Sequence, residues 1–138
     1  MKNLNLFAII FLFILFSEIS KAQTDTNYIW TYELNNAAFH SWDSINNIWM
    51  KEVYFPCLKE NKLKMSCAHC SGIFIDAGFE IDDNGKLIHI QIFREKVCVG
   101  SANQKLKDCF LNYFRQMVFP EPLRNHKIKV KLGTSLKC

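Results

Sequence analysis

Apolar and polar positions change their period along the chain, and each change marks an element. From Gly72 onward, Ile73, Ile75, Ala77, Phe79 and Ile81 alternate with Phe74, Asp76, Gly78 and Glu80. A period of two belongs to a strand buried on one face. Asp83-Asn84-Gly85-Lys86 follows, and Asn-Gly between two alternating runs is a strong hairpin signal. Leu87 to Phe93 alternates again. A two-residue turn at Asn84-Gly85 pairs Asp83 with Lys86, Ile81 with Ile88, Phe79 with Ile90 and Ala77 with Ile92, and sets Glu80 against His89 on the polar face. A slip of one residue destroys this match. Continued further, the same ladder puts Ser71 opposite Cys98.

The period then becomes helical. Ser101-Ala102-Asn103-Gln104 has the form of a capping box with Ser101 at the cap. Leu106, Cys109, Phe110, Tyr113, Phe114 and Met117 make one apolar stripe, with Lys105, Lys107, Asp108, Asn112, Arg115 and Gln116 on the other side. Pro120 ends the helix. Ile128, Val130 and Leu132 alternate with Lys127, Lys129 and Lys131 in a last strand before Gly133. The order strand, strand, helix, strand predicts an α+β fold: a small antiparallel sheet, made of the hairpin and the C-terminal strand, covered by one amphipathic helix.

The first half of the chain is less regular. Ile29, Trp30 and Tyr32 suit a strand, while Phe39, Trp42, Ile45 and Trp49 recur at helical spacing. Leu58 to Met65, with Lys59, Lys62 and Lys64, reads as a loop or edge segment. Before all of this, Lys2 precedes an unbroken apolar run from Leu6 to Phe16, and Ser20-Lys21-Ala22 follows it. That is the layout of a secretory signal with cleavage after Ala22. Eleven residues reach only about half of a ~30 Å hydrocarbon core, too short for a membrane span. The expected organisation is a signal peptide at 1–22, an aromatic-rich segment at 23–66 and an α+β domain at 67–138.

Composition adds the compartment. Hydrophobic residues make up 49% and charged residues 22%, which excludes a largely disordered chain. A net charge of +4 is too weak a basic signal for nucleic acid. Six cysteines stand at 57, 67, 70, 98, 109 and 138. In a short exported chain such a set forms disulfides and places the protein in a periplasm or outside the cell. The hairpin register brings Cys67 and Cys70 near Cys98, at the pole opposite the Asn84-Gly85 turn. The helix starts there and carries Cys109 about two turns on, and the last strand returns there with Cys138. The expected bridges are Cys70–Cys98 and at least one joining Cys138 to the cluster; the partners of Cys57 and Cys109 stay open.

The chain carries no Ser-His-Asp motif, and His40, His89 and His126 are scattered, so no enzyme is expected. Asp82-Asp83-Asn84-Gly85 lacks the spaced carboxylates of a calcium loop and reads as a turn. Met65-Ser66-Cys67-Ala68-His69-Cys70 resembles the M-x-C-x-x-C loop of heavy-metal-associated domains. That resemblance implies an alternative role as a carrier holding a soft metal such as Cu or Zn between Cys67 and Cys70. The family continues with a helix, whereas this chain continues with strand alternation. The same departure counts against a thiol–disulfide oxidoreductase, whose Cys-x-x-Cys opens a helix.

A second resemblance is longer. Phe79-Glu80-Ile81-Asp82-Asp83-Asn84-Gly85-Lys86-Leu87 is similar to the first hairpin of TonB C-terminal domains, of the form F-x-I-x-x-x-G-K-[LIV]. The later helix, the Phe119-Pro120-x-Pro122 step and the closing strand follow that family's order across residues 72–136. The resemblance implies a module without cofactor or catalysis that binds a protein or peptide partner of the cell envelope by strand pairing. Cleavage of the leader, the lack of a Pro-rich spacer and the six cysteines depart from the family's energy transducers. A small sheet leaves open edges, and an edge captures an extended segment readily. The last strand, with Lys127, Lys129 and Lys131 on its outer face, is the expected edge, and its lysines the expected selectors of an acidic partner.

Overall fold

The computed structural model describes residues 28–138; the signal peptide expected at 1–22 and the polar stretch after it lie outside the described residues. In chain order it contains β1 (Ile29–Trp30), α1 (Asn36–Trp49), a π-helical turn (Met50–Tyr54), α2 (Phe55–Glu60), β2 (Gly72–Ile81), β3 (Leu87–Val97), α3 (Gln104–Gln116) and β4 (Lys127–Ser135). The architecture is α+β. The four strands make one sheet in the order β1-β4-β2-β3. β2 pairs antiparallel with both β3 and β4, while β1 runs parallel to β4 at Ile29–Ile128 and Trp30–Lys129. The sheet is therefore mixed rather than purely antiparallel, because a short strand from the N-terminal segment joins it.

The hairpin keeps most of the expected register and departs from it at two places. Asp82 closes the turn. Its carboxylate accepts from the N–H groups of Asn84 (2.9 Å) and Lys86 (2.7 Å), and its own N–H donates to the Lys86 carbonyl (2.9 Å). The loop thus has three residues, with Gly85 at φ 80°, the form in which a turn is followed by a left-handed residue. Ile81 consequently faces Leu87, and Ile88 bulges out, 64% exposed. The bulge restores the expected pairs Glu80–His89, Phe79–Ile90 and Ala77–Ile92. A second irregularity at Phe93 advances the ladder again, so that Asp76 faces Arg94. Cys98 then donates its N–H to Gly72 (2.9 Å), one residue away from the expected Ser71.

One face of the sheet is apolar. Ile73, Ile75, Ala77, Phe79, Ile128, Val130 and Leu132 are completely buried there. Two helical elements cover this face, where the sequence pattern points to one. α3 supplies Leu106, Phe110, Leu111 and Phe114, and α1 supplies Ala38, Trp42, Ile45 and Trp49. Trp42 stacks on Phe114, and the Trp49 indole N–H donates to the Phe110 carbonyl at 3.0 Å. Residues from both sides of position 66 belong to a single core, so the aromatic-rich N-terminal segment is part of the domain.

The irregular period of that segment has a local cause. Trp42, Ile45 and Trp49 follow helical spacing, but the next buried residue, Tyr54, is five positions on. The Phe55 N–H bonds to the Met50 carbonyl, one residue further back than in an α-helix. Pro56 lacks an N–H, and its ring collides with the carbonyl four residues earlier in a regular helix. A π turn widens the backbone at that point, and Cys57 and Leu58 then return to the core. The helix therefore runs through Lys59, which the charge pattern assigns to a loop or edge.

Three disulfides staple the fold: Cys57–Cys109 between α2 and α3, Cys67–Cys138, and Cys70–Cys98. No helix among the described residues is long and apolar enough to cross a membrane.

Candidate functional site

The side of the sheet away from α1 and α3 collects the charged and aromatic side chains. Alternation along β4 places Lys127, Lys129 and Lys131 there, because Ile128, Val130 and Leu132 face the core. Gly78 leaves room for two rings: a Cβ at this position would lie 2.7 Å from Tyr28 and 2.9 Å from Phe93. These rings meet edge to face at 5.4 Å. The Phe93 bulge is what brings this ring onto the same side as its neighbour Arg94.

The lysines lie over the rings. The Lys129 ammonium is 4.4 Å from the Phe93 centroid and 5.0 Å from that of Trp30, and Lys131 is 4.2 Å from Phe74. The Arg94 guanidinium covers the same Phe74 at 5.0 Å. Arg94 also donates through Nε and Nη2, each at 2.8 Å, to Oδ2 of Asp76. Asp76 is 3% exposed, and its Oδ1 has no hydrogen-bond partner in the structure. Lys127 donates to Glu80 at 3.0 Å, and the Tyr28 hydroxyl donates to the same oxygen at 2.8 Å. The Lys127 bond, then the Tyr28 bond, hold the Glu80 carboxyl below its ordinary pKa. Burial and the bond to Glu80 push the Tyr28 phenol up to about 12. Such ring contacts hold a cation in place and strengthen as water is excluded.

The lysine row stands on an outer edge only in part: residues 130–135 of β4 have no strand on their other side among the described residues. β4 pairs with β2 along its whole length, and β1 covers the start of its other side. The outer strand on the opposite side is β3, which bears no strand on its far edge among the described residues. Two strand spacings, about 10 Å, separate β4 from β3. The cations standing on β3 itself are Arg94 and Lys96, and Lys96 donates to the Ser71 hydroxyl at 3.1 Å.

The Met65–Cys70 loop does not form a thiolate pair. Cys67 is bonded to Cys138 and Cys70 to Cys98, and no described cysteine is free. A bonded sulfur is not a thiolate ligand, so the soft-metal reading finds no donor pair here. The same connectivity removes the Cys67–Cys70 bridge that a dithiol exchange site needs. Among the described residues no three His, Cys, Asp or Glu side chains group as a metal site. Sequence reasoning missed Asp76, Phe74, Phe93, Arg94, Tyr28 and Trp30. Asp76 carried a signal, as an acid in the middle of an otherwise apolar strand; the bulge that re-aims Phe93 carried none.

Comparison with protein-family models, with curated proteins and with solved structures gives no match.

Proposed function

We propose that this protein is an exported interaction module without catalytic activity, which captures an extended segment of a partner protein as a fifth strand beside β3. The observation that carries this reading is the edge of β3, eleven residues long and unpaired on its outer side among the described residues. The Cys98 N–H points to β2, so alternation aims the N–H of Val97 and Glu95 outward. Val97 uses its donor on Gly100 at 2.7 Å; that of Glu95 faces away from the sheet. The two bulges restrict a regular added ladder to residues 89–92 and 94–97, and with Arg94 and Lys96 they guard the edge against indiscriminate pairing. Arg94 and Lys96 stand on β3 itself and favour an acidic segment, with the Lys129 ammonium reaching the Phe93 ring of the same strand. The similarity of the hairpin to TonB C-terminal domains supports the same mode, and three disulfides support a site of action in a periplasm or outside the cell.

The test starts from peptides selected by display on the immobilised protein. Hydrogen exchange in the complex should slow within residues 89–97. Glu95→Pro removes the outward donor and should abolish capture, whereas Glu95→Gln keeps the donor and should retain it. Equal binding by both variants, or protection confined to another surface, would overturn the proposal.

A further inference from the structure

A second surface is built from α2, the segment that follows it and Leu136 just past β4. Phe55, Leu58, Leu63, Met65 and Leu136 line a groove of about 620 Å³, and the remaining lining residues are Lys59, Lys62 and Lys64. The volume falls in the range of roughly 300–1,000 Å³ usual for small-ligand sites. None of the three lysines makes an ion pair among the described residues, and no acidic side chain lines the groove. Three unneutralised cations around an apolar floor are complementary to a molecule with an anionic head and a hydrocarbon tail.

Lys62 provides an independent observation. It follows the C-cap of α2 with φ 54°. The Leu63 N–H bonds back to the Leu58 carbonyl at 2.9 Å, and the Lys62 N–H to that of Lys59 at 3.1 Å. This helix-ending motif favours glycine at the left-handed position. A lysine stands there instead, and the turn that it strains aims the chain so that Lys62 and Lys64 flank Leu63 at the groove.

We propose that this groove binds one molecule of a long-chain carboxylate, the tail on Leu58, Leu63, Met65 and Leu136 and the head among the lysines. No uncharged polar side chain lines the groove, so little there would match the backbone of a peptide. The groove is wide and open to solvent rather than enclosed, so a single chain would lie along it. The inference is independent of strand capture at β3.

Dodecanoate, titrated into the intact mature protein below its micelle-forming concentration, should bind saturably, one per chain, with NMR shifts at Leu63, Met65 and Leu136. Dodecanol, which lacks the charge, and butyrate, which lacks the tail, should each bind at least about tenfold more weakly. A triple variant Lys59→Gln, Lys62→Gln and Lys64→Gln should lose about tenfold in affinity at an unchanged denaturation midpoint. Leu136→Asp, at an exposed position, should abolish binding without unfolding the chain. Equal affinity for dodecanol, undiminished binding by the triple variant, shifts confined elsewhere, or attachment only to anionic vesicles or to an acidic amphipathic peptide would overturn it.

Discussion

Gly133 shows how a single residue serves the whole sheet. Its φ is 108°, and a Cβ there would lie 2.3 Å from the Ile73 carbonyl oxygen and 2.9 Å from the Tyr54 ring. The Tyr54 hydroxyl uses this close approach to donate to Ile73 at 2.9 Å and to accept from the Thr134 N–H at 3.3 Å, tying β2 to β4. Gly133→Ala should cost about 2–4 kcal/mol in urea denaturation; a loss below ~0.5 kcal/mol would mean that the strands part freely at this point. The Tyr28–Glu80–Lys127 contact makes stability depend on pH at both ends. Tyr28 titrates at about 12 rather than 10.0, so its contribution is complete below pH 10 and disappears as pH rises toward 12. Glu80 lies below its ordinary 4.5, so its contribution is present above that pH and is lost as the pH falls through the lowered value. Tyr28→Phe should reduce the alkaline loss and remove one late step from a phenolate absorbance titration; burial also raises the Tyr54 and Tyr113 phenols, whose steps should remain. Unchanged titration in the variant would assign that step to another tyrosine.

At the scale of elements, short-range patterns located the strands and helices better than their ends. The capping box at Ser101 has the expected form, yet the cap is Asn103, whose side chain accepts from the Leu106 N–H at 2.9 Å. The tight turn that returns the Val97 N–H to Gly100 keeps the chain extended past Ser101, so the helix begins later. Asn103→Ala should therefore cost about 1 kcal/mol by chemical denaturation and Ser101→Ala under ~0.5 kcal/mol; the reverse order would return the cap to Ser101. The hairpin was legible because alternation in both strands admits few registers. Its bulges were not, since an extra residue leaves the local pattern almost unchanged. The π turn hid α2 in the opposite way, by breaking the helical spacing that Trp42, Ile45 and Trp49 set up before it.

For the whole molecule, the disulfides join parts that are distant in sequence. Cys57–Cys109 closes 52 residues and binds α2 to α3. Replacing both cysteines by alanine should cost about 2–4 kcal/mol in non-reducing denaturation; a change under ~1 kcal/mol would make the bridge redundant with the aromatic packing of Trp49, Tyr54 and Phe110. The expected Cys70–Cys98 bridge is present, and Cys138 is tied to Cys67 in the same loop. These pairings were partly readable because two antiparallel strands and a returning third must bring their ends together.

By itself the sequence determined the α+β class, the three long strands, the pairing around Phe79 and Ile90, the apolar stripe of α3 and an oxidising setting. Each of these follows from periodicity or composition, which act over a few residues. Only the tertiary structure decided that β3 is an open edge, that β1 joins the sheet in parallel and covers only the start of β4, and that α1 shares the core. Strand order depends on which apolar faces bury each other across many intervening residues, and no local pattern encodes it. The two surfaces were hidden for the same reason. Lys129 reaches Trp30 and Phe93, and Leu136 joins Leu58 in lining one groove, only when chain segments far apart in sequence pack together.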